Sequence, residues 1–257
     1  MKKEYLTVVF SIILLFFISP SVYAGFEIDV GSSYSTLNME DFNDFLSTRG
    51  NENDEVLRSL VSEEVDRKNF DEIKNSLGVN IFGRYWFDEL IAVGGGAEVF
   101  LISTSEYDLF LPETDHFDRF DIYNEDFQVG LYGVLAEVKY KVLDVDETTV
   151  NLNVGFGKYY SFLEWNKRYD RHAFDLEENR KENFVYNAES WGTKFGTQFS
   201  YRISDTTKLD TRLNYRLLVI DDYKDDEGKK FFDSYNNQVM EFDFSGFELI
   251  SSVSFKF

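Results

Sequence analysis

The sequence contains no cysteine, only two prolines and only two histidines. Without cysteine the chain cannot form disulfides, thiolate metal sites, a cysteine nucleophile or a lipid-modified N-terminal cysteine. Two prolines are too few for a proline-rich linker. His116 and His172 both fall in expected loops, so no strand is expected to carry a catalytic histidine. We therefore assign no catalytic, cofactor-binding or metal-binding residues.

Long hydrophobic runs are also missing, apart from one at the N-terminus. Two lysines precede an apolar stretch over residues 6–18, and Val22 and Ala24 stand at the −3 and −1 positions of a cleavage site. The stretch is shorter than the apolar segment that a membrane-spanning helix needs. We predict that residues 1–24 are a cleaved signal peptide and that residues 25–257 form one β-barrel domain. An uncleaved N-terminal anchor is the alternative.

Basic residues are scarce relative to acidic ones. The chain has 47 acidic and 26 basic residues, and its net charge is −21. The phosphates of nucleic acid would repel such a surface, so nucleic acid is not an expected partner. Aromatic residues, in contrast, make up 18% of the chain. That content is too high for an ordinary water-soluble surface.

Alternation of apolar and polar residues is the main pattern after the leader. Near the end of the chain, Phe247, Leu249 and Val253 share one face of a strand, and Glu248 and Ser252 share the other. Seven further segments repeat the pattern, at residues 26–30, 79–85, 91–99, 127–138, 150–156, 191–203 and 209–219. Changes of phase after Leu131 and near Gly246 predict β-bulges at both places.

The connections between these eight segments alternate in length. Short ones lie at residues 88–89, 143–148 and 204–206, and long ones at residues 38–75, 103–126, 165–185 and 221–241. Outer-membrane barrels place short turns in the periplasm and long loops outside. The pattern predicts an all-β fold, an eight-stranded antiparallel up-and-down transmembrane β-barrel with long extracellular loops. Ten strands and a soluble β-sandwich are the alternatives.

The polar face of the strands carries charges of both signs in near balance. A barrel interior requires such balance, because an unpaired buried charge is costly, whereas a sandwich would leave this face in water. We therefore predict an interior charge network of Arg84, Glu98, Glu137, Lys139, Lys194, Arg202, Asp210, Arg212, Arg216 and Glu248.

The long loops are acidic and two of them carry further patterns. Val56, Leu57 and Leu60 recur at helical spacing and predict a short amphipathic helix in the first loop, between residues 54 and 67. It could lie across the barrel mouth, lie among lipid headgroups or bind a partner. Aromatic residues interleaved with acids in the second loop predict an extension of the strands above the membrane, and binding of a basic protein surface is the alternative. Residues 221–228 fail the spacing of a calcium loop.

Aromatic residues also cluster at both ends of the predicted strands. One group, near the periplasmic ends, is Tyr85, Trp86, Phe87, Tyr201 and Phe257, and the other, near the outer ends, is Tyr159, Tyr160, Phe162, Trp165 and Trp191. The two clusters predict the aromatic girdles of a barrel that spans a bilayer.

The chain ends in Ser-Val-Ser-Phe-Lys-Phe. This segment resembles the terminal signal read by the barrel-assembly machinery, an aromatic last residue preceded by apolar residues at alternate positions. Val253, Phe255 and Phe257 match it, while Ser252 stands where a glycine is often found. With its leader and eight strands, the chain resembles the small outer-membrane barrels of the OmpA transmembrane-domain, OmpX and OmpW type. The resemblance implies an outer-membrane location, and no peptidoglycan-binding domain is expected after Phe257.

This architectural resemblance leaves three classes of function. The first is a structural or surface-interaction role, in adhesion or envelope stabilisation, because an eight-stranded barrel is filled by its own side chains. The second is a narrow channel for ions or small solutes, with Gly94 and Gly96 leaving room inside. An enzyme is the third. The expected partners are outer-membrane lipid and lipopolysaccharide, bridged by divalent cations, the barrel-assembly machinery and an extracellular protein. No cofactor is expected.

Overall fold

The computed structural model describes residues 25–60, 66–111, 119–173, 176–233 and 238–257, so the expected signal peptide lies outside the described residues. Eight strands form one ring: β1 (Phe26–Thr36), β2 (Asn75–Trp86), β3 (Ile91–Leu111), β4 (Arg119–Val145), β5 (Thr148–Ala173), β6 (Leu176–Arg202), β7 (Thr207–Leu217) and β8 (Gly246–Lys256). Helix α1 (Glu40–Leu60) follows β1. Short strand segments lie at Asp66–Lys68, Val219–Ile220, Phe232–Asp233, Gln238–Val239 and Phe242–Asp243.

Antiparallel pairing closes the sheet on itself. Each of the eight strands pairs with the next, and β1 pairs with β8 from Glu27 opposite Lys256 to Ser35 opposite Glu248. The ring therefore leaves no strand edge along the barrel. The predicted eight-stranded antiparallel barrel is confirmed, and the described residues of the first long loop add no strand to the ring. The short turns mark one end of the barrel, called the turn end, and α1 marks the other, called the helix end.

The strands differ greatly in length. β3 to β6 have 21, 27, 26 and 27 residues, whereas the other four have 11 or 12. One side of the barrel thus continues about 25–40 Å along its strands beyond the other, at about 3.3 Å per residue. This projecting sheet comprises residues 104–111, 119–128, 164–173 and 176–187. The extension predicted for the second loop is confirmed, but the loop predicted at residues 165–185 is wrong, because cross-strand pairing continues through it.

Neither predicted bulge lies on its expected strand, although the pairing of β3 with β4 shifts register between Leu101 and Thr104, opposite Gly130 and Gln128. The pairing of β4 with β5 keeps one register from Arg119 to Lys141, and that of β8 with β7 keeps one register from Gly246 to Phe255. The apolar residues Phe127, Val129 and Leu131 therefore face inward together with Glu137 on the same strand. The apparent change of phase reflects a change in the lumen, which is polar at the turn end and apolar at the helix end.

Helix α1 begins earlier than the helix predicted between residues 54 and 67. Acidic residues occupy its first turn, where they favour a helix N-terminus, and Phe42, Phe45 and Leu46 lie at the spacing of one buried face. The predicted helix overlaps α1 at residues 54–60, and Asp66–Lys68 forms a short strand instead. Among the described residues, no helix has both the length and the apolar character needed to cross a membrane.

Candidate functional site

Nine of the ten residues predicted to form an interior charge network lie inside the barrel. Arg84, Glu98, Glu137, Lys139, Lys194, Asp210, Arg212, Arg216 and Glu248 are each at most 3% exposed. The tenth, Arg202, is exposed and lies outside this cluster. β6 ends at Arg202, at the turn end of the barrel, so its side chain reaches water instead of an interior partner.

Three cations near the turn end each meet a carboxylate, in the pairs Arg84–Glu137, Lys139–Glu27 and Arg212–Asp29. The nitrogen–oxygen distance is 2.7 Å in the first pair and 2.9 Å in the second. The hydroxyl of Ser254 donates a further hydrogen bond to Asp29 at 3.0 Å. These contacts join strands that are not neighbours in the ring, across its lumen.

A second group of charges surrounds Lys194, closer to the helix end. Its ammonium donates to Oε2 of Glu248 at 2.9 Å and also to Glu98. The other oxygen of Glu98 accepts a hydrogen bond from the Tyr159 hydroxyl at 2.8 Å. Nε of Arg216 donates to a backbone carbonyl at 3.0 Å. The cations and the carboxylate partners of this group are therefore held in place on several strands.

The two groups together are electrically balanced. Six carboxylates, Glu27, Asp29, Glu98, Glu137, Asp210 and Glu248, face six cations, Arg84, Lys139, Lys194, Lys208, Arg212 and Arg216. Lys208 is the partly exposed member and lies 3.3 Å from Glu27. Removing either sign alone would leave an unpaired charge inside the barrel, where the cost is high.

Gly94 and Gly96 leave no spare room in the lumen. A Cβ atom added to Gly94 would lie 2.1 Å from the carbonyl oxygen of Gly83, and one added to Gly96 would lie 2.3 Å from that of Ile81. Both distances are far below van der Waals contact, so these glycines permit a close approach of β2 and β3. The expectation that they provide space for a channel is wrong.

The helix end of the lumen is filled by an apolar core that the sequence did not predict. Its residues from α1 and the segment between β7 and β8 include Phe42, Phe45, Leu46, Leu218, Ile220, Tyr223, Phe231, Met240, Phe242 and Phe244. The ring of Phe42 lies 5.7 Å from that of Phe127 and 4.7 Å from that of Phe242, measured between centroids. The inward phase of Phe127, Val129 and Leu131 was the sequence signal that could have revealed this core.

Glu125 connects α1 to the wall of the barrel. Its fully buried carboxylate accepts hydrogen bonds from Nε of Arg49 at 3.1 Å and from Nδ2 of Asn53 at 3.2 Å, both on α1. From the wall it accepts the Tyr123 hydroxyl at 2.9 Å and the Trp165 indole at 2.6 Å. Burial and the neighbouring Glu125 carboxylate raise the pKa of Tyr123, which keeps its hydroxyl protonated as a donor.

Within the acidic segment at residues 221–228, Asp222 forms ion pairs with two lysines. Asp222 pairs with Lys224, and its other oxygen lies 2.5 Å from Nζ of Lys230. These ammonium groups hold the pKa of the Asp222 carboxyl below its usual range. Within the described part of the chain, no group of three or more ligating side chains is arranged around a common metal position.

Outward-facing side chains form an apolar belt around the barrel. On β5 the residues Leu152, Val154 and Phe156 are 49%, 55% and 54% exposed. The belt continues to Phe162, and ten residues of tilted strand correspond to about 25 Å of height, as required for a membrane β-barrel. Lys158 interrupts this face of β5 and pairs with Glu189 of β6 at 2.6 Å. Above Phe162 polar residues replace apolar ones on the same face, with Glu164 and Asn166.

Most residues of the two expected aromatic girdles are exposed at the borders of this belt. Tyr85, Phe87, Tyr201 and Phe257 are exposed at the turn end, and Phe162 and Trp191 at the other border, where Tyr160 stacks on Tyr132 with a centroid distance of 5.1 Å. The assignment of Tyr159 and Trp165 to a girdle is wrong, because both donate to buried carboxylates inside the barrel. Adjacent residues of a strand face opposite sides, so Tyr159 and Tyr160 cannot both face lipid.

A closed ladder surrounded by an apolar belt satisfies both demands of a bilayer, because no backbone group is left unpaired at an edge and the surface is apolar. The chain forms a closed eight-stranded β-barrel whose outer surface has the character of a membrane-spanning barrel. Short turns face the periplasm in outer-membrane barrels, and the short turns of this chain lie at the end opposite α1 and the projecting sheet.

Comparison with known proteins finds structural neighbours of this barrel. No family model and no curated protein matches the chain. A solved structure that matches is Ail of Yersinia pestis in complex with the heparin analogue sucrose octasulfate, with 13% identity, 90% of this chain and 97% of that chain covered, and a TM-score of 0.39. Another is the outer membrane protein OprG from Pseudomonas aeruginosa, with 9% identity, coverage of 91% and 96%, and a TM-score of 0.41. Values this low assign no function to the chain.

The histidines are placed differently from the expectation. His172 lies within β5, so the expectation that no strand carries a histidine is wrong, because β5 is longer than its sequence pattern indicated. His116 lies outside the described residues.

The outer membrane protease OmpT from Escherichia coli also matches the chain, with 9% identity, coverage of 92% and 98%, and a TM-score of 0.29.

Proposed function

We propose that the protein is a closed, non-conducting barrel that acts at the cell surface, in adhesion or envelope stabilisation, and that it is neither a channel nor an enzyme. The observation that carries this proposal is the double filling of the lumen. Balanced ion pairs occupy the turn end, and an apolar core built on α1 occupies the helix end. A hydrated ion would have to displace fixed ion pairs and then enter an apolar layer, and both steps are unfavourable.

The part of the chain above the belt is then what remains available to partners. Export by residues 1–24 and recognition of the C-terminus by the barrel-assembly machinery belong to the same proposal. Phe255 and Phe257 support it, because they are 43% and 59% exposed, while Val253 is half-buried beside them on β8. Contact with outer-membrane lipid and lipopolysaccharide through the outward face, and contact with an extracellular protein above it, complete the set of proposed partners.

Single-channel conductance tests the proposal. The full chain is expressed in a Gram-negative host, purified from the outer membrane and inserted into a planar bilayer. We expect no reproducible conductance steps from a preparation whose folded fraction is verified by heat-modifiable migration on a gel. Charge-selective steps that change when Arg212 or Arg216 is replaced by glutamate would contradict the proposal and support the channel alternative.

A further inference from the structure

The outward face of the projecting sheet is polar directly above the apolar belt. On β5, Phe162 at the border is followed on the same face by Glu164 and Asn166, and on β4 the outward Tyr132 gives way to Asp126. β1, β2, β7 and β8 are too short to extend this face around the barrel. The polar face therefore exists on one side only and continues the lipid-facing belt of the same strands.

Two cross-strand rows form the centre of this face. The first row is Asp108, Asn124, Arg168 and Lys181, and the second is Glu106, Asp126, Asn166 and Asn183. We call these eight residues the polar ladder. Four of them are exposed and four are half-buried, so the ladder is open to the surroundings of the sheet.

Hydrogen bonds along the ladder order its side chains. Nδ2 of Asn124 donates to Asp108, and Nδ2 of Asn166 donates to Oδ2 of Asp126 at 2.9 Å. An amide and a carboxylate joined by one such bond retain further acceptor oxygens and one amide hydrogen. The ladder thus presents a fixed array of acceptors with some donors, and it carries both carboxylates and cations.

The height of the ladder determines what it meets. Asn166 lies four residues beyond Phe162, which is about 10 Å of height on a tilted strand. The headgroup region of a membrane extends about 5–8 Å beyond the hydrocarbon on each side. The ladder therefore begins just beyond the outer edge of the headgroup region, where the sugars of a glycolipid lie. Sugar hydroxyls both donate and accept, as an array of amides and carboxylates requires.

We infer that the polar ladder is a docking surface for the sugar headgroup of an outer-leaflet glycolipid, whose acyl chains lie against the belt below it. This inference rests on the proposed surface function and specifies its lipid partner. Continuity of the ladder with the lipid-facing belt favours this occupant over a soluble protein or a second copy of the chain, because one molecule can cover both surfaces at once.

Retention of a defined glycolipid tests the inference. The protein is reconstituted into nanodiscs that contain phospholipid and either core-bearing lipopolysaccharide or lipid A without core sugars, and the glycolipid that stays with each barrel is titrated. We expect tighter retention of the core-bearing form. The double variant Asn124→Ala with Asn166→Ala should weaken that retention by about tenfold, because two ordering amides are lost. The control, Asn51→Ala with Asn69→Ala, removes two exposed amides outside the ladder and should retain the glycolipid like the unmodified protein.

Several results would overturn the inference. They are equal retention of the two glycolipids, equal retention by the ladder variant and the control, or an effect of the ladder variant on self-association alone. Retention that is lost completely in EDTA without any dependence on core sugars would also overturn it, since phosphate bridging would then suffice. Conductance is recorded on the same preparation. A silent barrel without sugar-dependent retention refutes only this inference, whereas a conducting barrel refutes the proposed function.

Discussion

At the scale of single residues, Glu125 is the contact through which α1 is fastened to the barrel wall. Its carboxylate lies above the belt, is fully buried and receives donors from both α1 and the wall. A buried carboxylate of this kind stabilises the fold mainly because it accepts hydrogen bonds from buried donor groups. When it is removed, those donor groups are left without a partner. The effect of a substitution here should therefore exceed that of losing one exposed carboxylate.

Glu125→Ala is expected to lower the free energy of unfolding by about 2 kcal/mol, because the Arg49 guanidinium, which is partly exposed, loses its carboxylate. Urea titration of the reconstituted barrel measures this change. Glu241→Ala, at an exposed position, serves as the control and should stay within about 0.5 kcal/mol of the unmodified protein. Equal effects of the two substitutions would contradict the role assigned to Glu125.

Gly94→Ala tests the close approach of β2 and β3. The new Cβ would lie 2.1 Å from a backbone oxygen, so we expect a loss of at least about 2 kcal/mol or a failure to fold. Gly155→Ala is a matched control on another inward position, where the nearest atom is 3.5 Å away. Heat-modifiable migration and urea titration report both variants. Normal stability of Gly94→Ala would show that the lumen has room after all.

At the scale of elements, α1 is held by packing rather than by its own helix propensity. Its sequence includes Gly50 and several asparagine, serine and threonine residues, which are weak helix formers. The buried rings of Phe42 and Phe45 provide its contact with the wall and with Phe242. The helix should therefore loosen independently of the closed ladder when these contacts are lost.

Phe42→Ala is expected to weaken the docking of α1 by about 3–4 kcal/mol, because a fully buried ring is removed. Hydrogen exchange should show faster exchange of the α1 amides, while amides in the belt region of β4 and β5 remain protected. Asp44→Ala, at an exposed position of the same helix, is the control and should leave both sets of amides unchanged. Uniform loss of protection across the barrel would mean that α1 and the ladder unfold together.

At the scale of the whole molecule, the net charge of −21 decides which ligands can approach. Soluble polyanions that are not bridged by divalent cations are repelled by such a protein at ordinary ionic strength, since the repulsion acts over about a Debye length. The purified protein should therefore pass through immobilised heparin at about 0.15 M salt and bind to an anion exchanger. Retention on heparin that disappears when Arg168 and Lys181 are replaced by serine would reveal a local basic site instead.

The sequence by itself determined the barrel, its strand number and most of its interior charges. These features follow from alternation with a period of two, which is a local property of each strand. It places Lys194 on the polar face of its strand and Leu213 on the apolar face of its own. Where a strand ends, the same rule fails, as it did for Arg202. The loop expected at residues 165–185 failed for a related reason, because pairing with a neighbouring strand extends an element beyond its own pattern.

Only the tertiary structure decided that the lumen has two layers. Phe127 and Trp165 face inward because α1 and the segment after β7 supply apolar partners from distant parts of the chain, and no local pattern contains that information. The same holds for Glu125, whose burial is tolerated only because donors from α1 and two strands converge on it. A periodic sequence specifies which face of a strand is inside, whereas the packing of distant segments decides what that inside contains.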